Sequence, residues 1–209
     1  MRFLRAVSLL LLWLILGHPA LLPAAVYQID SAKSKVEVLV LRGGLLGFLG
    51  HDHEIVSWKL TGTVDYSPSS IASLGADVSL PVKSLTVVDP QVALQERREV
   101  QSTMQGEAVL DADRYPEIHF ASTGSAPART PPQVLISGDL SLHGVVKKIS
   151  FPVRLAPSPG ILRVTGTAKV RQSDFGIEPI RIAGGTMRIK DLVEIHFSLV
   201  ARESPWDRR

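Results

Sequence analysis

The feature that most constrains the fold of this chain is a repeated alternation of apolar and polar residues. Eight segments carry it, and within each of them every second residue is apolar. The alternating segments are residues 36–40, 56–66, 76–82, 118–120, 134–142, 149–155, 162–170 and 193–199. Because successive side chains of a β-strand point to opposite faces, each segment predicts a strand with one apolar and one hydrated face.

Turn-forming residues separate these segments. They are Ser67-Pro68, Pro131-Pro132, His143-Gly144 and Pro157–Gly160. Short connections of this kind join antiparallel neighbours, so the sequence predicts an antiparallel meander.

One stretch has the composition of a helix. Ala93–Met104 contains strong helix formers and neither Gly nor Pro, and Val100 and Met104 lie one turn apart on one face. The Gly- and Leu-rich stretch Gly43–Gly50 predicts a turn of helix or a flap. We expect a single helical insertion in an otherwise all-β domain.

Eight one-sided strands with one helix must bury their apolar faces against each other, in a sandwich or a closed barrel. The glycines Gly62, Gly138 and Gly166 inside strands suit the tight bends of a barrel wall. A barrel of this strand number is either filled by side chains or holds one small ligand. The inward residues are mostly aliphatic with few aromatics, which leaves room for a cavity.

The first 25 residues have the three parts of a secretory signal peptide. Arg2 and Arg5 precede an uncharged apolar run, and the stretch ends on small residues at Ala24 and Ala25. The apolar run is short for a membrane span of about 20 residues. We expect cleavage, a mature domain over residues 26–203, a short tail over residues 204–209, and a periplasmic or secreted location without a membrane span.

Charge and cysteine content narrow the range of possible functions and of stabilising features. Removing residues 1–25 takes two of the 23 basic residues and none of the 20 acidic ones, which leaves a net charge of +1. A nearly neutral chain does not predict nucleic-acid binding. The absence of cysteine excludes disulfides and a lipid attached to an N-terminal cysteine, so stability must come from burial.

Four motifs in register point to a known family. They are Tyr27–Asp30 followed by Ser34–Val36, Arg114–Phe120, Gly138–Val145 leading into Lys147, and Asp174–Ile177. With these motifs the chain resembles the YceI-like family of exported, lipocalin-like, polyisoprenoid-binding proteins. The resemblance implies an eight-stranded antiparallel barrel with one helical insertion around a long apolar channel, and an isoprenoid or fatty-chain ligand. Where members often carry a paired aromatic and a helix histidine, this chain has Val109-Leu110 and Thr103.

The candidate ligand contacts follow from strand parity and from the expected barrel mouth. On the inward faces we predict contacts from Val38, Trp58, Leu80, Phe120, Leu140, Phe151, Ala168 and Phe197, and at the mouth from His51 and His53. The two histidines, at i and i+2, also suit the start of a metal site. No third ligand is clear, so no metal site is predicted. By parity His119 and His196 face outward, and His143 lies in a turn.

Catalysis finds little support in the sequence. It has no Gly-x-Ser-x-Gly, no cysteine and no serine primed by a neighbouring base. We therefore predict a carrier rather than an enzyme, with a hydrophobic small molecule as partner and no cofactor beyond that ligand. A metal-binding or redox-accessory protein using His51 and His53 is the alternative, and a barrel filled by its own side chains is a third. The sequence is compatible with a monomer and with a homodimer.

Overall fold

A computed structural model describes residues 24–43, 52–130, 132–182 and 187–204. His51, nearly all of the predicted signal peptide, all but the first residue of Gly43–Gly50, and residues 205–209 of the tail lie outside it. No helix among the described residues is long and apolar enough to cross a membrane. The strands are β1 Ala25–Ile29, β2 Lys35–Val40, β3 Arg42–Gly43, β4 His53–Ser57, β5 Thr61–Ser67, β6 Ser70–Pro81, β7 Thr86–Val87, β8 Glu117–Pro127, β9 Gln133–Leu142, β10 Val145–Ser158, β11 Ile161–Arg171, β12 Arg181–Ile182, β13 Met187–Ile189 and β14 Leu192–Glu203.

Eight of these strands close into an antiparallel barrel. The order around the ring is β1, β5, β6, β8, β9, β10, β11 and β14, and β14 pairs again with β1. The closed barrel is therefore confirmed and the sandwich is not. In the described part of the chain the α-helix is α1, Leu94–Gln105, within one residue of its predicted bounds at each end.

At one end, which we call the helix end, the wall continues beyond the ring. Strand β14 also pairs with β2, β2 with β4, and β4 with β7, while α1 packs beside β7. Strands β3, β12 and β13 form a separate three-stranded sheet. Each of three long strands of the wall is thus divided by a bend into two labelled segments. These pairs of segments are β1 and β2, β4 and β5, and β6 and β7.

The bend between β4 and β5 interrupts a segment that alternation predicted as one strand. The Ser57 hydroxyl accepts the Lys59 backbone N–H at 3.1 Å and bonds the Ser84 hydroxyl at 2.7 Å. These bonds turn the chain directly after β4. Alternation also did not indicate β1, the strand that closes the ring.

The opposite end of the barrel is filled by side chains. Leu162 and Ala201 lie opposite each other in the β11–β14 register, and neither has exposed surface. Near them in the wall, the rings of Tyr27 and Tyr66 pack edge to face with centroids 6.4 Å apart. Any large cavity therefore lies in the middle of the barrel or at the helix end.

The motifs behind the family resemblance hold the wall together. His143 and Gly144, with φ of 52° and 73°, form the two-residue turn between β9 and β10. The His143 Nδ1–H donates to the Phe175 carbonyl at 3.1 Å, and the ring packs against Tyr115 with centroids 5.0 Å apart. The predicted turn role of His143 is confirmed, and three motifs meet at this point.

Candidate ligand-binding site

The middle of the barrel contains a cavity of about 170 Å³, which we call the central cavity. Every described residue that lines it is Val, Leu, Ile, Ala or Phe. Seven of the predicted contact residues belong to this lining, namely Val38, Leu80, Phe120, Leu140, Phe151, Ala168 and Phe197. The structure brings them together as strand parity predicted, and their contact with a ligand stays a prediction.

Three aromatic rings occupy part of the central cavity's wall. Phe151 packs against Phe120 and Phe197 with ring centroids 5.3 and 5.6 Å away. A Cβ atom at Gly138 would lie 2.6 Å from Phe120 Cζ, and one at Gly166 would lie 2.6 Å from Phe197 Cζ. The two glycines therefore seat the rings against the wall, a role that differs from the predicted bends.

The predicted inward position of Trp58 is wrong. Its side chain is 50% exposed and does not line either cavity described here. The reason is the bend after Ser57, which places Trp58 between two strands instead of on an inward face. Strand parity cannot be carried across such an interruption.

A second cavity, of about 270 Å³, lies at the helix end, and we call it the end cavity. Strands β2 and β4 line one side of it, and α1 contributes Glu96, Glu99, Thr103 and others. Unlike the central cavity, it combines apolar side chains with two carboxylates and an imidazole, that of His53.

The two cavities share one stretch of wall. Val38 lines the central cavity and Val40 the end cavity, two residues apart on the same face of β2. Val38 also lies opposite Ile55, another lining residue of the end cavity, in the β2–β4 register. The interior is therefore a row of two adjoining cavities along the barrel axis.

His53 is held in the end cavity by a buried carboxylate. Its Nδ1 lies 2.6 Å from Asp89 Oδ2, and Asp89 Oδ1 accepts the Glu54 backbone N–H, also at 2.6 Å. Asp89 is 4% exposed. Both carboxylate oxygens are thus used in fixing the histidine ring and the start of β4.

The described residues contain no group of side chains that would support the alternative of a metal site. Nowhere among them do three His, Asp or Glu side chains lie close enough to hold an ion. His119 lies on the outer face beside Asp77 at 3.1 Å, and His196 beside Thr167 at 3.0 Å. Their predicted outward positions are confirmed, while His51 lies outside the described residues.

Sequence reasoning missed three acidic residues at the helix end. Asp89 follows Val87-Val88 and precedes Pro90, and an acidic residue in such a setting is the one indication that could have singled it out. Glu96 and Glu99 lie on the exposed surface of α1 and line the end cavity. Their position depends on where α1 packs, which periodicity does not give.

Comparison with known proteins agrees with this architecture. The family model of the YceI-like domain matches residues 27–201. Among solved structures, Burkholderia cenocepacia BcnA is 23% identical over 83% of this chain and 99% of its own, with a TM-score of 0.67. A Campylobacter jejuni YceI protein is 17% identical over 70% of this chain and 82% of its own, with a TM-score of 0.55. No curated protein sequence matches the chain.

Proposed function

This chain belongs to the YceI-like family, and from that premise we propose that it is an exported carrier for a long-chain apolar molecule, an isoprenoid or a fatty chain, held inside the barrel. Proteins of this family are binding proteins for hydrophobic small molecules rather than enzymes. The observation that carries the proposal is the central cavity, whose described lining is entirely aliphatic and aromatic within a closed wall.

The chemistry of this lining favours hydrocarbon over other ligands. Each methylene that leaves water for such a surface contributes about 0.8 kcal/mol, and it needs no polar partner. A sugar or nucleotide would instead bury hydroxyl and charged groups among residues that offer them no hydrogen bonds, at a cost of several kcal/mol. The central cavity therefore suits a chain and disfavours polar ligands.

The volumes indicate that a chain would use both cavities. The central cavity alone, at about 170 Å³, resembles engineered apolar cavities that stay dry and bind a single benzene-sized ligand. The end cavity adds about 270 Å³. Together the two fall within the roughly 300–1,000 Å³ of ordinary ligand sites.

Export is part of the proposal and is supported by the N-terminal sequence. Basic, apolar and small-residue parts follow one another over residues 1–25. Strand β1 begins at Ala25 and pairs with β5 and β14. Cleavage after Ala24 or Ala25 would therefore leave the barrel wall essentially whole. N-terminal sequencing of the exported protein should begin at Ala25 or Val26, and material that keeps residues 1–24 would contradict this.

The direct test of the carrier function is organic extraction of the purified protein followed by mass spectrometry. We expect a near-stoichiometric apolar chain from the natural protein and at least a tenfold smaller amount from Ala168→Trp. Ala168 is 5% exposed and lines the central cavity, so an indole there takes the space of the ligand.

The matched control is Ala156→Trp, which makes the same change on the exposed outer face of β10. It should retain as much of the chain as the natural protein, with circular dichroism confirming that both variants fold. If the natural protein yields no apolar molecule and also fails to bind an added fluorescent fatty-acid probe, the carrier function is wrong. Equal yields from folded Ala168→Trp and Ala156→Trp would place the ligand outside the barrel.

A further inference from the structure

We propose that the end cavity receives the head group of the bound chain and selects a head group that donates a hydrogen bond and carries no negative charge, as an alcohol does. The inference rests on the proposed carrier function and adds the chemistry of the ligand's polar end. It is carried by three observations: the adjoining cavities, the fixed histidine His53, and the carboxylates of α1.

The first observation fixes where a polar end would lie. The filled end of the barrel, with Leu162 and Ala201 fully buried, leaves no room for one. The described lining of the central cavity contains no polar side chain. A chain in the central cavity therefore places its polar end in the adjoining end cavity, where burial does not leave it without partners.

The second observation concerns the hydrogen-bonding role of His53. Asp89 accepts the Glu54 backbone N–H through one oxygen, and its other oxygen lies 2.6 Å from His53 Nδ1. A carboxylate that accepts at both oxygens requires the proton on Nδ1, and in the neutral imidazole Nε2 is then an acceptor.

His53 lines the end cavity, and among the described residues no side chain or backbone group lies within hydrogen-bonding distance of its Nε2. A ligand hydroxyl that donates to Nε2 supplies the missing partner. A head group without a donor leaves this acceptor unsatisfied when the cavity is closed to water, which carries a free-energy penalty.

The third observation is the charge of the lining. Glu96 and Glu99 line the end cavity from the exposed surface of α1, and its described lining contains neither Lys nor Arg. Residues 44–51 and 183–186, which the structure does not describe, also contain neither. A phosphate or diphosphate head group would meet two carboxylates and no strong cation, so like-charge repulsion disfavours it.

The test uses three probes with one chain and three head groups: geranylgeraniol, its methyl ether and its diphosphate. Each is titrated into the delipidated, refolded full-length mature protein. We expect the alcohol to bind about tenfold tighter than the ether, because the ether accepts but cannot donate a hydrogen bond. The diphosphate should bind more weakly than the alcohol at low salt, and the gap should narrow as salt is raised.

Asp89→Asn tests the hydrogen-bonding role of His53, because asparagine has nearly the same shape as the aspartate that it replaces. The asparagine oxygen can still accept from the Glu54 N–H, and its amide then donates to His53 Nδ1. This reverses the tautomer, so that Nε2–H becomes a donor. The preference for alcohol over ether should disappear. A merely structural role of Asp89 would weaken both probes equally and leave their ratio unchanged.

A pair of substitutions in α1 tests the effect of charge in the lining. Glu96→Gln with Glu99→Gln should raise the affinity for the diphosphate relative to the alcohol. The double change Glu107→Gln with Glu117→Gln removes two carboxylates that are exposed, as Glu96 and Glu99 are, but do not line the cavity, and it should shift this ratio much less. Equal shifts from both double variants would mean that net charge acts and the cavity does not.

The possible results distinguish a failure of head-group selection from a failure of the carrier function. If the natural protein binds the diphosphate most tightly, or binds alcohol and ether equally, head-group selection is wrong while the carrier function stands. If it binds none of the three probes, the carrier function itself is wrong.

Discussion

The central cavity and the end cavity are adjoining spaces built in different ways. The first is lined mainly by strand residues of the closed ring, and its whole described lining is apolar. The second lies beyond the ring, between short strands and α1, and its lining includes His53, Glu96 and Glu99. For the proposed carrier, this difference predicts that the ring provides affinity for the chain and the helix end provides discrimination between head groups.

The two regions also depend on different interactions. In the ring, stability comes from apolar burial and from the fit of three aromatic rings against two glycines. At the helix end, a buried carboxylate organises the wall by bonding both a backbone N–H and a side chain. Substitutions that attack one type of interaction at a time should therefore separate the regions.

The largest effect should come from a charge in the central cavity. Leu140 is 6% exposed and lines that cavity, so Leu140→Asp places an unpaired carboxylate among apolar side chains, at a cost of several kcal/mol. We expect the domain to be unfolded or to melt far below the natural protein in thermal denaturation. Ser141→Asp, one residue along on the outer face, should fold normally, and similar melting temperatures for the two would contradict the β9 register.

A smaller loss should follow from removing the buried carboxylate of the helix end. Asp89→Ala leaves the Glu54 N–H and the His53 ring without their partner, and we expect the free energy of unfolding in urea to fall by roughly 2–3 kcal/mol. The control is Asp113→Ala. That carboxylate also lies 2.6 Å from its partner, Lys83, but is 89% exposed, so its loss should cause no measurable change. Equal losses would mean that burial does not decide the contribution.

Adding a single methyl group at Gly166, where the ring of Phe197 packs against the wall, should lower the stability of the fold. Gly166→Ala would place a carbon 2.6 Å from Phe197 Cζ and 2.9 Å from the Pro152 carbonyl oxygen. We expect about 1–2 kcal/mol lower stability from this overpacking. Gly124→Ala, whose new methyl would meet nothing within 4 Å, should be neutral or slightly stabilising. Denaturant titrations of both variants make the comparison, and a neutral Gly166→Ala would show that the ring is free to shift.

The smallest effect should be a pH-dependent one at the helix end. The Ser173 backbone N–H donates to Asp191 and is the main reason why the pKa of that carboxyl lies below 3.8, its ordinary value; Arg171 acts in the same direction. A lowered pKa in the folded protein means that Asp191 stabilises the fold above pH 3.8. This stabilisation is lost as the pH falls through the folded-state value. Urea unfolding should show Asp191→Asn less stable than the natural protein at pH 7, with a gap that closes below pH 3.8. A gap that is independent of pH would contradict the role of the charge.

The ring could be predicted from the sequence to a large extent. Seven of the eight alternating segments contain strands of the closed ring, because one-sided burial imposes a two-residue period on each strand. The eighth, residues 36–40, is β2, and the strand that completes the ring is β1. The helix followed from its composition. Parity placed Phe120, Leu140 and Ala168 correctly, since no bend interrupts their strands.

The site at the helix end could be predicted only in part. His53 was singled out as a mouth residue, and it lines the end cavity. Its partner Asp89 lies 36 residues further along the chain, and no local pattern links the two. Trp58 was misplaced because the bend after Ser57 depends on the hydroxyl of Ser84, a residue in the connection between β6 and β7.

The sequence by itself thus determined which side chains of the uninterrupted strands face inward and that the interior of the ring is apolar, since these follow from a period that each strand carries alone. The tertiary structure decided where strands bend, which glycines receive aromatic rings, and which acidic residues line the end cavity. Each of these depends on contacts between segments far apart in the chain. Their geometry is set by closure of the ring and by the packing of α1 beside β7. The local alternation of residues predicts neither.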